Sequence, residues 1–235
     1  MSDTHIHTFI RHCNFSSNSA HKQRPDWFTR EKCWNNLLNT IDDNTSITIL
    51  FDGYPNDDHF LKNQQDNFKI INISSGNDGL SFLNLVKYIE AQNIPLTDII
   101  YILEDDYLHR PLWPKILREG LEQIKADYVT LYDHPDKYFL SMYKTLQSQI
   151  FISQSTHWRT TPSTTNTYAS LYQTFIQHID IHKKYCDLNI GFTRDHDKFL
   201  NLWQNQSNLI SPIPSYATHC ETQYISPYIK WEQYA

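Results

Sequence analysis

Residues 98–111 read DIIYILEDDYLHRP, and the fold turns on that stretch. Positions 99–103 are apolar throughout, with no alternation. A strand that buries side chains on both faces reads this way, the mark of a central strand in a parallel sheet. Directly behind it stand Glu104, Asp105 and Asp106. Adjacent like charges 4 Å apart repel by about 4 kcal/mol at an effective dielectric near 20. These three carboxylates need something positive to face.

Working outward, the first half alternates in type. Strands are expected over 5–11, 46–52, 69–73, 98–103 and 127–131, and helices over 30–41, 81–91 and 113–124. The helix over 30–41 places Trp34, Leu37, Leu38 and Ile41 on one face. Alternating strands and helices predict an α/β chain with a mostly parallel sheet and right-handed crossovers. No repeat, linker or low-complexity segment divides it, so one domain over 1–235 is expected. In such sheets ligands bind beyond the carboxyl ends of the strands. Asp52, the 104–106 triplet and Asp133 all sit at strand ends, so they are expected on one rim.

Composition narrows the partners. The chain carries a net charge of −6 and no basic run longer than Lys183-Lys184, which argues against nucleic acid. Its longest apolar stretches are strand-sized, far short of the roughly 20 residues that span a bilayer. Any membrane contact is therefore expected to be peripheral, with the Tyr-rich YISPYIKWEQY at 224–234 as one surface for it or as a segment packed on the domain. The opening MSDTHIHTF is polar and the four cysteines form no CxxC pair, so reduced thiols in a cytoplasmic protein are expected.

Acids gathered on a rim suit a divalent cation, because hard oxygen ligands select Mg²⁺ or Mn²⁺ and leave positions open for phosphates. They also suit a solvated turn, or the amino end of the next helix. Upstream, ISSGNDGLSFLNLV at 73–86 sets a glycine loop between a strand and a helix, where backbone can approach an anionic phosphate.

The order SITILFDGYPND, SSGNDGLSFLN, DIIYILEDDYL resembles the nucleotide-sugar half of glycosyltransferases with the A-type fold. EDDYLHRP, VTLYDHPDKY (129–138), HWRTTPSTTNT (157–167) and TRDHDKF (193–199) are similar to a set of small bacterial and chlorella-virus A-type glycosyltransferases. The likeness runs from RPDWF at 24–28 to SYATHCE at 215–221. It implies a nucleotide-sugar-binding half over about 1–110 and an acceptor and catalytic half over about 111–235, in an inverting hexosyltransferase acting on a UDP, GDP or dTDP sugar, with a glycan or glycolipid acceptor in surface polysaccharide synthesis at or near the inner membrane face.

The resemblance also implies roles. Asp52 would contact the base or ribose, and Gly76, Asn77 and Asn84 would line the nucleotide pocket. Glu104 and Asp105 would hold the ribose or donor sugar, with Glu104 standing where the general motif has its first Asp. Asp106 would ligate the metal, joined by His219, which could instead pack beside Cys220. Asp195 would act as general base, with Asp197 as a further candidate, or one of the two would only cap a helix. Asp133 and Asp136 are the other base candidates, or part of a turn. Trp158 would stack on a sugar face, and Arg11, Arg24 and Arg159 would meet phosphate or base. A metal-dependent phosphohydrolase and a non-catalytic nucleotide-sugar-binding module use the same acids and are the alternatives.

Overall fold

The computed structural model describes residues 4–16, 19–64 and 67–235. The first half follows the expected alternation: β1 (Ile6–Cys13), α1 (Arg30–Thr40), β2 (Thr45–Asp52), β3 (Lys69–Ile73), α2 (Asp78–Glu90) and β4 (Ile99–Glu104). β5 (Tyr107–His109), α3 (Trp113–Arg118), β6 (Tyr128–Val129) and α4 (Asp136–Phe139) come next, then β7 (Ile150–Ile152), β8 (His157–Thr160) and β9 (Tyr168–Leu171). The chain closes with α5 (Tyr172–Gln177), α6 (Ile179–Lys184), β10 (Cys186–Asp187), β11 (Phe192–Thr193), α7 (Asp195–Gln204), β12 (Leu209–Ile213) and β13 (Ala217–His219).

One nine-stranded sheet runs through both halves in the order β3-β2-β1-β4-β9-β6-β12-β8-β7. The block from β3 to β4 is parallel. β9 then enters antiparallel to both β4 and β6, so the sheet is mixed. Four residues, YASL, carry too little pattern to announce that reversal.

β4 lies in the middle and explains its own composition. Ile99, Tyr101 and Leu103 join the core on one face, with Trp34 and Leu37 of α1 and Trp113, Ile116 and Leu117 of α3. Ile100 and Ile102 join the other, with Phe82, Leu85, Val86 and Ile89 of α2 and Phe199 and Leu202 of α7. Successive side chains point to opposite faces, so a strand covered on both sides is apolar at every position.

β1, α1 and β4 shift by one or two residues at their ends, and three other expected elements change more. The strand expected over 127–131 is only Tyr128–Val129. The helix expected over 81–91 starts at Asp78, because Asn77 Oδ1 caps it by accepting from the Leu80 amide at 2.8 Å. The helix expected over 113–124 stops at Arg118 and continues as a π-helical turn, Glu119–Gln123. Gly120 in that turn admits close neighbours: a Cβ there would lie 2.8 Å from Val129 Cγ2 and 3.0 Å from the Trp158 ring.

The tail at 224–234 is packed on the domain. Trp231 is buried with Leu108, Cys33 and Cys220, and its Nε1 donates to the Ser226 carbonyl at 2.9 Å. All four cysteines are free thiols. Among the described residues no helix is long and apolar enough to cross a membrane.

Gly120→Ala should destabilise the protein by about 1–3 kcal/mol through overpacking, read as a lower urea midpoint. An unchanged midpoint would mean that Trp158 can give way.

Candidate active site

A cavity of about 480 Å³ opens at the carboxyl ends of β1, β2 and β4 and over the loop before α2. Arg11, Asp52, Gly76, Asn77 and all three acids of the 104–106 triplet line it. The rim expected from topology gathers Asp52 and the triplet, joined by Arg11, Gly76 and Asn77, but not Asp133.

The glycine loop is built by Asp52. Its two carboxylate oxygens accept from the Ser75 amide at 2.7 Å and the Gly76 amide at 3.1 Å. Gly76 turns the chain at φ +74°, in the left-handed region open to glycine. Asn84 does not line the cavity: its Nδ2 donates to Ser75 Oγ at 2.9 Å and props the loop from behind.

Each acid of the triplet has its own cation. Glu104 meets Arg11 Nη2 at 2.9 Å, and Arg11 Nη1 also reaches Asp78 Oδ1 at 2.7 Å. Asp105 turns the other way, 2.5 Å from His12 Nδ1 and 3.1 Å from Arg30 Nε. Asp106 Oδ2 lies 2.8 Å from Arg24 Nη2, 3.0 Å from His219 Nε2 and 3.8 Å from Lys22 Nζ. The protonation equilibria separate accordingly. Burial raises the Glu104 carboxyl, against the pull of Arg11 and with a push from Asp106. Burial works against ionised Asp106 too, but His219, Lys22 and Arg24 outweigh it and hold that carboxyl well below the usual range.

His219 comes from 113 residues further along the chain. The pairing of β13 with β5 sets it opposite Tyr107, and the Cys220 amide donates to the Asp106 carbonyl at 2.8 Å. Among the described residues, no group of three or more His, Cys, Asp or Glu side chains is placed to hold a metal unaided. Asp106 and His219 are a two-donor set, one oxygen and one imidazole. That set fits an Mn²⁺ or Mg²⁺ ion that completes its shell with phosphate oxygens and water.

Other expected residues lie elsewhere. Trp158 is 0 % exposed, its Nε1 donating to Ser153 Oγ at 2.9 Å, so it is core and has no face for a sugar. Arg159 is buried on Asp133 Oδ1, with Nη2 at 2.5 Å and Nε at 3.1 Å, and Tyr138 donates its hydroxyl to the other Asp133 oxygen. Asp133 is 1 % exposed and its carboxylate is fully engaged, away from the cavity. Asp136 is held by Lys137 at 2.8 Å and His134 at 2.9 Å. Asp197 pairs with Arg194 at 2.5 Å on the surface of α7.

Asp195 is the first residue of α7 and does not cap it; Arg194 stands at the cap position. Its Oδ1 is buried without a hydrogen-bond partner, 3.6 Å from Lys198 Nζ. Burial raises its carboxyl, opposed by the Lys198 charge. Lys198 is itself buried, donating to Asn166 Oδ1 at 2.6 Å.

Sequence reasoning missed His12, Lys22, Arg30 and Asp78. His12 had a signal, since the carboxyl-end rule applies to β1 as it does to β2 and β4. Lys22 and Arg30 lie in and after a loop with no pattern.

No protein-family model and no curated protein matches the sequence. Among solved structures, the chain is similar to GalNAc-T7 crystallised with UDP, GalNAc and Mn²⁺: TM-score 0.59, 9% identity, 92% of this chain and 43% of that one. This chain thus spans less than half the length of that structure. It also superimposes on CMP:2-keto-3-deoxy-manno-octonic acid synthetase complexed with CTP, with a TM-score of 0.50, 14% identity and coverage of 88% of this chain and 89% of that one. For S. aureus TarS 1–349 the values are 0.50, 11%, 88% and 57%. These likenesses establish the fold, a mixed sheet flanked by helices that this chain shares with those structures.

Arg159→Met would strand the Asp133 carboxylate in the core and should cost about 3–5 kcal/mol of stability. Thermal unfolding reads that loss, while nucleotide binding below the transition should match the wild type. Weakened binding with normal stability would return Arg159 to the ligand site.

Proposed function

We propose that this chain is a metal-dependent glycosyltransferase that moves a sugar from a nucleoside diphosphate donor to a glycan or glycolipid acceptor, with inversion, in surface polysaccharide synthesis. The observation that carries the reading is the convergence of Asp106 and His219 at 3.0 Å, on the rim that also presents the glycine loop. The resemblance assigned these two residues to the metal on separate grounds. The donor would lie in the 480 Å³ cavity, its anionic groups at the amino end of α2 and near Arg11. Glu104, the raised acid, would accept from donor hydroxyls.

Asp106 and His219 would hold the divalent ion, which supplies Lewis-acid stabilisation of the charge developing on the leaving diphosphate. Asp195 would take the proton from the acceptor hydroxyl as its oxygen attacks the anomeric carbon and the bond to the diphosphate breaks. Its buried Oδ1, without a hydrogen bond though 3.6 Å from Lys198 Nζ, and its raised carboxyl suit a base that accepts a proton.

Calorimetric titration of UDP, GDP and dTDP, each with Mn²⁺ and then with EDTA, tests the class. One nucleotide should bind in a metal-dependent way, and Asp106→Asn should remove that dependence. If none binds, the reading fails. Asp195→Asn should keep donor binding and lower transfer by about 10²–10⁴-fold; full activity would move the base elsewhere. The pH profile follows from the same shift. A base must be ionised, so turnover is lost as pH falls through a carboxyl value lying above the ordinary one of 3.8. An acid limb at or below that ordinary value would contradict the assignment.

A further inference from the structure

We propose that the Lys22 ammonium is the resident counter-ion of the Asp106–His219 pair, and that a divalent ion enters by displacing it. This rests on the assignment of those two residues to the metal. Lys22 Nζ lies 3.3 Å from His219 Nε2 and 3.8 Å from Asp106 Oδ2, while those two atoms are 3.0 Å apart. A single positive group thus touches both prospective ligands. Among the described residues no other carboxylate oxygen lies within 4 Å of it.

The neighbouring cation is fixed by contrast. Arg24 spends its other nitrogen, Nη1, on the Cys220 carbonyl at 2.7 Å, and its guanidinium lies over the Phe28 ring. The backbone beside Lys22 is tied as well, the Gln23 carbonyl accepting from the Thr222 amide at 2.9 Å. Displacement therefore needs only a swing of the Lys22 side chain. That side chain is about a quarter exposed and has open space on two sides. It lines the donor cavity, and it lines a second cavity of about 450 Å³ shared with Gln23, Glu221 and Tyr224. Withdrawn toward the first, it remains a cation beside an anionic donor. Lys22 and the metal exclude each other at the ligand pair, yet both favour the diphosphate.

Titrating Mn²⁺ alone into nucleotide-free protein, with free ion counted by electron paramagnetic resonance, separates the possibilities. Lys22→Met should bind Mn²⁺ about tenfold tighter than wild type or more, because a repelling charge beside the ion is gone. Lys22→Gln should do the same, and circular dichroism checks that both are folded. With EDTA present, the same variants should bind UDP, GDP and dTDP no better than wild type. Equal or weaker Mn²⁺ affinity in both variants, with Asp106→Asn binding none, overturns the role of Lys22 and leaves the metal assignment standing. Asp106→Asn binding Mn²⁺ as well as wild type overturns both.

Discussion

Three adjacent carboxylates at the end of a central strand can fold only if each finds a positive partner, and most of the site follows from how they find them. Asp105 turns toward His12 and Arg30, while Glu104 reaches Arg11 and Asp106 reaches Arg24 and His219. The partners come from β1, from the loop that follows it, from α1 and from β13. Neutralising one strand end therefore ties four distant segments together. Burial costs a lone charge several kcal/mol, so the pairing is as much a condition of stability as of chemistry.

Much of the parallel half was legible. An apolar run without alternation, a β-branched run ending in Asp52 and a glycine loop with Asn77 each have a local physical cause, and each fell where it was expected. The reversal at β9 did not, because four residues do not establish a period. The same limit applies to 113–124, where a helical pattern hid the π-helical turn at Gly120.

In the site, legibility followed the reach of each residue's contacts. Asp52, the 104–106 triplet and the loop before α2 could be placed by rule, and they meet at the cavity; Asp133, assigned to the same rim by the same rule, does not. Trp158, Arg159 and Asp133 have the residue types of a sugar site but lie in the core, where the indole packs beside Gly120 and the guanidinium neutralises a buried acid. Burial is a tertiary property, so a hydroxyl-rich loop could not disclose it. The approach of His219 to Asp106 was available only through the family resemblance, since nothing local links positions 113 apart.

That separation also orders events during synthesis. β1, β2 and β4 can pair, and the glycine loop can close on Asp52, from the first 104 residues. Asp106, which Arg24 can already meet, gains His219 only when β13 reaches β5. Loop closure over such a span is among the slower steps of folding. A nascent chain thus carries the parallel strands and the glycine loop well before it carries the Asp106–His219 pair.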